Sequence, residues 1–126
     1  MVYLGMTWIA GIDYSLTSPA ICVAEVRDNK IKFEDCRFHY IKQTKKQESV
    51  GIFRGYDYPK YSDNVERYEN LAEWTIECIR WYKGRVQCVY LEDYAFAATG
   101  RVFDIAENTG ILKHKLRVNK FKFETI

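Results

Sequence analysis

Two short apolar runs, far apart in the chain, each end on an acid. Trp8-Ile9-Ala10-Gly11-Ile12 runs into Asp13, and Cys88-Val89-Tyr90-Leu91 runs into Glu92 and Asp93. Unbroken apolar runs of this length read as strands buried on both sides, at the centre of a sheet. Aspartate is a poor strand former. A carboxylate buried without a partner is costly, so each acid belongs at a strand end, in solvent or beside a cation. The plain reading makes Asp13 the cap of the turn through Ser15 and Glu92 a solvated strand end. If the two strands are neighbours, however, their acidic ends face one another across a strand spacing of about 4.8 Å. Two carboxylates that close repel unless a cation neutralises them, and a hard divalent ion with oxygen ligands suits that role.

The rest of the chain supplies the sheet such strands need. Residues 7–14 form the first run, and 15–19 (Ser-Leu-Thr-Ser-Pro) a turn. Residues 20–26 form a second strand, Arg27-Asp28-Asn29-Lys30 a polar turn, and 31–41 an alternating third strand. This is the pattern of an antiparallel meander. Residues 42–62 make a long polar loop in which Lys42, Lys45, Lys46, Arg54 and Lys60 alternate with Phe53, Tyr56, Tyr58 and Tyr61. A loop of that length in a compact domain is usually functional or mobile.

Residues 63–82 carry the clearest helical pattern. Asp63 stands at the cap position with Glu66 three residues on, the spacing of a capping box. Val65, Tyr68, Leu71, Ala72, Thr75, Ile79 and Tyr82 share one face, and Trp74 with Trp81 forms a second apolar ridge that reads as ordinary core ahead of a partner surface. Lys83-Gly84-Arg85 ends the helix, glycine suiting the left-handed cap and the charges the negative helix end. A fourth strand over 86–93, a loop over 94–101, a second helix over 102–116 and a fifth strand over 118–126 follow. The order β-β-β-α-β-α-β implies an α/β fold: one mixed five-stranded sheet with flanking helices. At 126 residues it is a single domain.

Composition narrows the possibilities further. The net charge of +2 is too small to mark a nucleic-acid binder by itself, so any basic footprint must be local. From Arg101 onward, Arg101, Lys113, Lys115, Arg117, Lys120 and Lys122 outnumber Asp104, Glu107 and Glu124. No apolar run approaches the roughly 18–20 residues of a membrane helix, and the start lacks a secretory pattern. The four cysteines form no CxxC pair and read as reduced thiols, three of them (Cys22, Cys78 and Cys88) as small core residues. Cys36 and His39 have ligand spacing but no second pair to complete a zinc site.

Gly11-Ile12-Asp13-Tyr14-Ser15, a small turn and an Ala-Ile-Cys-Val strand resemble the opening of the ribonuclease H-like superfamily. Leu91-Glu92-Asp93-Tyr94-Ala95-Phe96, followed by Gly100 to Leu112, looks like the fourth-strand acid and following helix of the RuvC Holliday-junction resolvases, phage-type members above all. The start also occurs in sugar-kinase and actin-like phosphate domains, but Tyr14-Ser15-Leu16 lacks their loop glycine.

The resemblance implies a ribonuclease H-like sheet and a structure-selective endonuclease cutting branched DNA. Asp13 and Glu92 would be catalytic carboxylates on Mg²⁺ or Mn²⁺. Lys45, Lys46, Arg54, Arg101 and Lys113 would contact DNA, with Phe96 near a junction-stacking aromatic. Gly110 would let its helix pack closely. Homodimerisation is implied, because two symmetric strands must be cut, and Trp74/Trp81 is a candidate dimer ridge. The setting implied is the cytoplasm of a bacterium or phage-infected host. The family also carries metal-binding acids on a helix after the last strand, whereas this sequence closes on Glu124-Thr125-Ile126. The expectation is therefore a truncated domain that binds metal weakly and cuts poorly. The alternative is a ribonuclease H-like module that grips nucleic acid without cutting it.

Overall fold

The computed structural model describes residues 7–44, 49–80, 82, 86–92 and 102–126. Strand β1 (Thr7–Asp13) pairs antiparallel with β2 (Ala20–Val26), which pairs antiparallel with β3 (Cys36–Ile41). Between β2 and β3, Arg27 and Lys30 exchange backbone hydrogen bonds of 3.0 and 2.9 Å. Asp28 and Asn29 there take φ of 53° and 60°, as a tight hairpin turn requires of its central residues.

The expected third strand loses its first half. Phe33–Asp35 is a 3₁₀ turn closed by the Asp35 N–H on the Lys32 carbonyl at 3.0 Å. Lys30, Lys32, Glu34 and Asp35 offer this stretch little apolar surface to bury, and Phe33 is 63% exposed.

The long polar loop hides a sixth strand. Strand β4 (Phe53–Tyr56) runs parallel to β3 at the sheet edge. It is launched by a two-residue turn in which Val50 and Phe53 exchange hydrogen bonds of 2.9 Å, with Gly51 at φ +58°. Four residues containing a glycine carry too little alternation to stand out.

Helix α1 spans Asn64–Arg80. Asp63 caps it, its Oδ1 accepting the Glu66 N–H at 2.8 Å. The Glu66 carboxylate accepts from the Ser62 hydroxyl at 3.0 Å. Val65 was expected on the buried face but is 57% exposed, while Trp74, whose ridge reads as ordinary core ahead of a partner surface, sits in the core. Trp81 and the 83–85 helix stop lie outside the described residues. Strand β5 (Val86–Leu91) follows, parallel to β1. Helix α2 runs Val102–Val118, two residues beyond expectation, and leaves only Phe123–Thr125 for β6.

The sheet order is β4-β3-β2-β1-β5-β6. Both helices cover one face, where Ala10, Ile12, Ile21, Val23, Val89 and Leu91 meet Leu71, Ile79, Leu112 and Leu116. Each such buried aliphatic side chain contributes about 1.5–3 kcal/mol by leaving water. The Tyr68 hydroxyl bonds Asp104 at 3.3 Å and Lys115 pairs with Glu73 at 2.8 Å between the helices. The cysteines are free; Cys36, Cys78 and Cys88 are buried and Cys22 is half-buried.

His39, on β3, faces the helices and is 2% exposed. Its Nδ1 lies 2.9 Å from the Tyr56 hydroxyl and its Nε2 2.5 Å from that of Tyr82. Cys36, three residues earlier on the same strand, projects to the opposite face and bonds the Lys32 carbonyl. The pair thus cannot share a metal, because strand side chains alternate.

Burial, then the positive charge of Arg54, lowers the His39 pKa from 6.5 to about 4. The unfolded chain therefore takes up this proton first as pH falls. The associated stability is complete above about pH 6.5 and is lost on going down to about pH 4. Denaturant unfolding should show a decline of roughly 2–3 kcal/mol across that window from this residue. His39→Gln should flatten the decline; an unchanged pH profile would contradict the assignment.

Candidate metal and nucleic-acid site

Asp13 ends β1 and Glu92 follows β5. The two strands are parallel neighbours in the register Ile12↔Leu91, and the Glu92 N–H donates to the Ile12 carbonyl at 3.2 Å. The ladder therefore continues through Glu92, which places the two acids side by side at one end of the sheet. Ile12 and Leu91 are buried beneath the helices. Alternation along each strand then turns Asp13 and Glu92 to the other face, and both are exposed.

That face is built for close approach. Gly11 lies two residues below the end of β1 beside Tyr90 and Cys22. No described atom lies within 4 Å of where a Cβ on Gly11 would sit. Beyond β1 the chain turns through Ser15, whose Oγ accepts the Ser18 N–H at 3.0 Å. Asp13 does not make that cap. Ala20 and Tyr40 continue the row of Asp13 across β2 and β3, so Tyr40 shares its face. Nothing in the sequence spacing pointed to Tyr40, because the row exists only through strand pairing.

Glu124 shares this face too, opposite Tyr90 on the outer strand. Among the described residues, no group of three His, Cys, Asp or Glu side chains gathers as a metal cage. Two adjacent exposed carboxylates still match the needs of Mg²⁺ or Mn²⁺, which binds through one or two carboxylates and keeps several waters. Asp13 and Glu92 are thus the pair that could hold such an ion.

The basic residues separate into two groups. Arg54 lies on β4 with its guanidinium 5.6 Å above the Tyr56 ring. Lys113 is on α2, half-buried. Lys45, Lys46, Phe96 and Arg101 lie outside the described residues. Sequence reasoning passed over Arg37, which joins Arg54 on one cavity wall. The two arginines are 17 positions apart and meet only through the β3–β4 pairing. Among the described residues, no helix is long and apolar enough to cross a membrane.

No protein-family model matches this sequence, and no curated protein matches it either. Among solved structures, the fold is similar to the Thermus thermophilus RuvC structure, with a TM-score of 0.64 and 15% sequence identity. The match covers 95% of this chain and 63% of that chain, so this chain spans less than two thirds of its length. The likeness shows the architecture: an α/β, ribonuclease H-like mixed sheet, here of six strands.

If Asp13 and Glu92 share an ion, Mg²⁺ or Mn²⁺ should raise the melting temperature of the chain. At ten times Kd the gain is about 1.4 kcal/mol. Asp13→Asn should abolish that gain. At low ionic strength without metal the variant should be the more stable protein, because a like-charge pair has been relieved. Equal metal-induced shifts in both proteins would remove the pair as a site.

Proposed function

We propose that this chain is a RuvC-type, metal-dependent endonuclease domain, residues 1–126, acting on branched DNA such as four-way junctions. The observation that carries the reading is the parallel β1–β5 register, which sets Asp13 beside Glu92 on the open sheet face. Asp13 and Glu92 would hold Mg²⁺ or Mn²⁺ through carboxylate oxygens. A bound divalent ion supplies charge for the scissile phosphate and lowers the pKa of a coordinated water.

The chain's own residues do the rest. Gly11 leaves room for a phosphodiester to lie against the strands. The buried Ile12 and Leu91 fix the backbone beneath the acids, which holds the carboxylates on rigid elements. Cations away from the acids, Arg54 and Lys113 among them, offset the repulsion between two carboxylates and a polyanion. A junction presents two equivalent strands, so the acting form in this reading is a homodimer, with one acid pair for each cut.

A second reading, a module that grips branched DNA without cutting it, is favoured by one observation. Two carboxylates meet here and, among the described residues, no third acid joins them.

A labelled four-way junction separates the two readings. Under the first, the chain nicks the junction with Mg²⁺ or Mn²⁺ but not with chelator, and spares linear duplex. Asp13→Asn and Glu92→Gln should each cost at least about a hundredfold in rate, since even outer-shell losses cost 10–100-fold. They should leave junction binding intact. Tight junction binding with no metal-dependent nicking selects the second reading. Indifference to branching rejects both.

A further inference from the structure

A cavity of about 300 Å³ opens on the helix-covered face, at the β3–β4 edge of the sheet. Arg37, His39, Arg54 and Tyr82 line it, and the Gly51–Ile52 turn closes one side. A second cavity of about 230 Å³ adjoins through Arg54 and is lined by Tyr56, Trp74, Glu77 and Cys78. Neither touches the acid pair, which projects from the opposite face.

The walls are rich in donors. The Arg37 Nη1 donates to the carbonyls of Glu34 and Cys36 at 2.9 and 2.8 Å, which pins the guanidinium. Its Nε and Nη2 meet no acceptor among the described residues. Trp74 is 8% exposed, and its indole N–H has no acceptor among the described residues. His39 is bonded at both ring nitrogens by tyrosine hydroxyls. Neutral imidazole donates through one nitrogen only. One of the two hydroxyls therefore accepts from the ring while the other donates to it, and Tyr56 also hydrogen-bonds the Cys78 thiol.

The electrostatics agree. Burial raises the pKa values of Tyr56, Cys78 and Tyr82 and lowers that of His39, while the positive charge of Arg54 acts to lower those of His39, Tyr56 and Cys78 and that of Arg37 to lower that of Tyr82. Among the described residues, Glu77, exposed on α1, is the one carboxylate on either wall. The planar Arg37 fork, with the positive charge of Arg54 beside it, suits a ligand that brings several acceptor oxygens and negative charge. Tetrahedral phosphate fits that description. The volume is at the low end for ligand pockets and accommodates more than an isolated phosphate.

We infer that the Arg37–Arg54 cavity is a phosphate-binding site, and that a nucleic-acid backbone supplies the phosphate. The polymer half of the inference rests on the nuclease reading; the phosphate half does not. Position supports the backbone source. Arg54 occupies the row of His39, Ile21 and Ile12, one residue below that of Asp13. Three strand spacings separate the two, about 14 Å. A duplex arm engaged at the acids would pass within reach of the edge.

Two titrations of the full chain test this. Inorganic phosphate, followed through the Trp74 indole N–H resonance, should give a saturable shift in wild type that is lost in Arg37→Gln/Arg54→Gln. A labelled four-way junction in chelator should bind the double variant about tenfold more weakly near 0.1 M salt. The slope of log K against log salt should also fall by about 2, one unit per lost contact. Both residues are exposed, so near-ultraviolet circular dichroism should stay unchanged. Arg37→Lys, keeping charge without the fork, should lose part of the phosphate response. A phosphate shift with an unaltered junction slope would overturn the backbone source and leave a site for free phosphate or a mononucleotide. No shift and no change in slope would overturn the site altogether. Cleavage and binding of the junction by the wild-type chain are measured in parallel, so failure of the nuclease reading registers separately, as absent cleavage or absent binding in wild type.

Discussion

Everything at the proposed reactive end depends on the parallel pairing of β1 with β5. A parallel neighbour cannot be reached by a hairpin and needs a long crossover. Here the chain makes three more strands and α1 before β5 returns beside β1. The register is fixed by what lies beneath it: Ala10, Ile12, Val89 and Leu91 are all at most 4% exposed under the helices. A one-residue slip would turn these aliphatic side chains to solvent and the acids into the core, at a cost of several buried side chains. The apolar residues next to the acids thus set the spacing of the acids. In that sense the core and the site are one device.

The two faces of the sheet divide the labour. One is filled by α1 and α2 and holds the aliphatic core. The other carries Gly11, Cys22, Tyr40 and Tyr90 around the acid pair. Small residues on that face keep its centre flat near Asp13, and the bulky aromatics lie farther out, where Phe38 and Phe53 stack at 4.9 Å. Flatness beside two carboxylates gives a large, stiff polyanion access that a deep pocket would deny.

What the sequence made legible follows the strength of each local signal. Asp13 and Glu92 stood out because an acid ending an apolar run breaks a strong pattern. Asp63 stood out because a cap is a local hydrogen bond, and that bond is present at 2.8 Å. The antiparallel meander followed from short turns. Strand β4 was missed because an edge strand of four residues has one buried side at most and no length in which to show a period. Residues 31–35 misled because a chance alternation of Ile31, Phe33 and Asp35 imitated a strand where too few apolar side chains exist to bury. The Arg37–Arg54 cavity was invisible for another reason. Its walls and those of the adjoining cavity come from β3, β4, α1 and Tyr82, and neither Arg37, His39 nor Trp74 is unusual in its own stretch of sequence.

The charge balance ties the two regions together. A pair of adjacent carboxylates repels any phosphodiester, and a divalent ion between them leaves the cluster close to neutral rather than attractive. Binding of a polyanion must then come from elsewhere, and net charge is of little help at +2. It has to come from cations held apart from the acids, where they add attraction without pairing off the carboxylates. The β3–β4 edge meets that condition. Arg54 is three strands away from Asp13 and on the opposite face. Arg37 is tied to backbone carbonyls rather than to an acid. Counterion release at such sites supplies affinity that does not depend on sequence. In the nuclease reading, the acid pair is then left to the step that would need a metal, and recognition of branched DNA would fall to the spacing between the two.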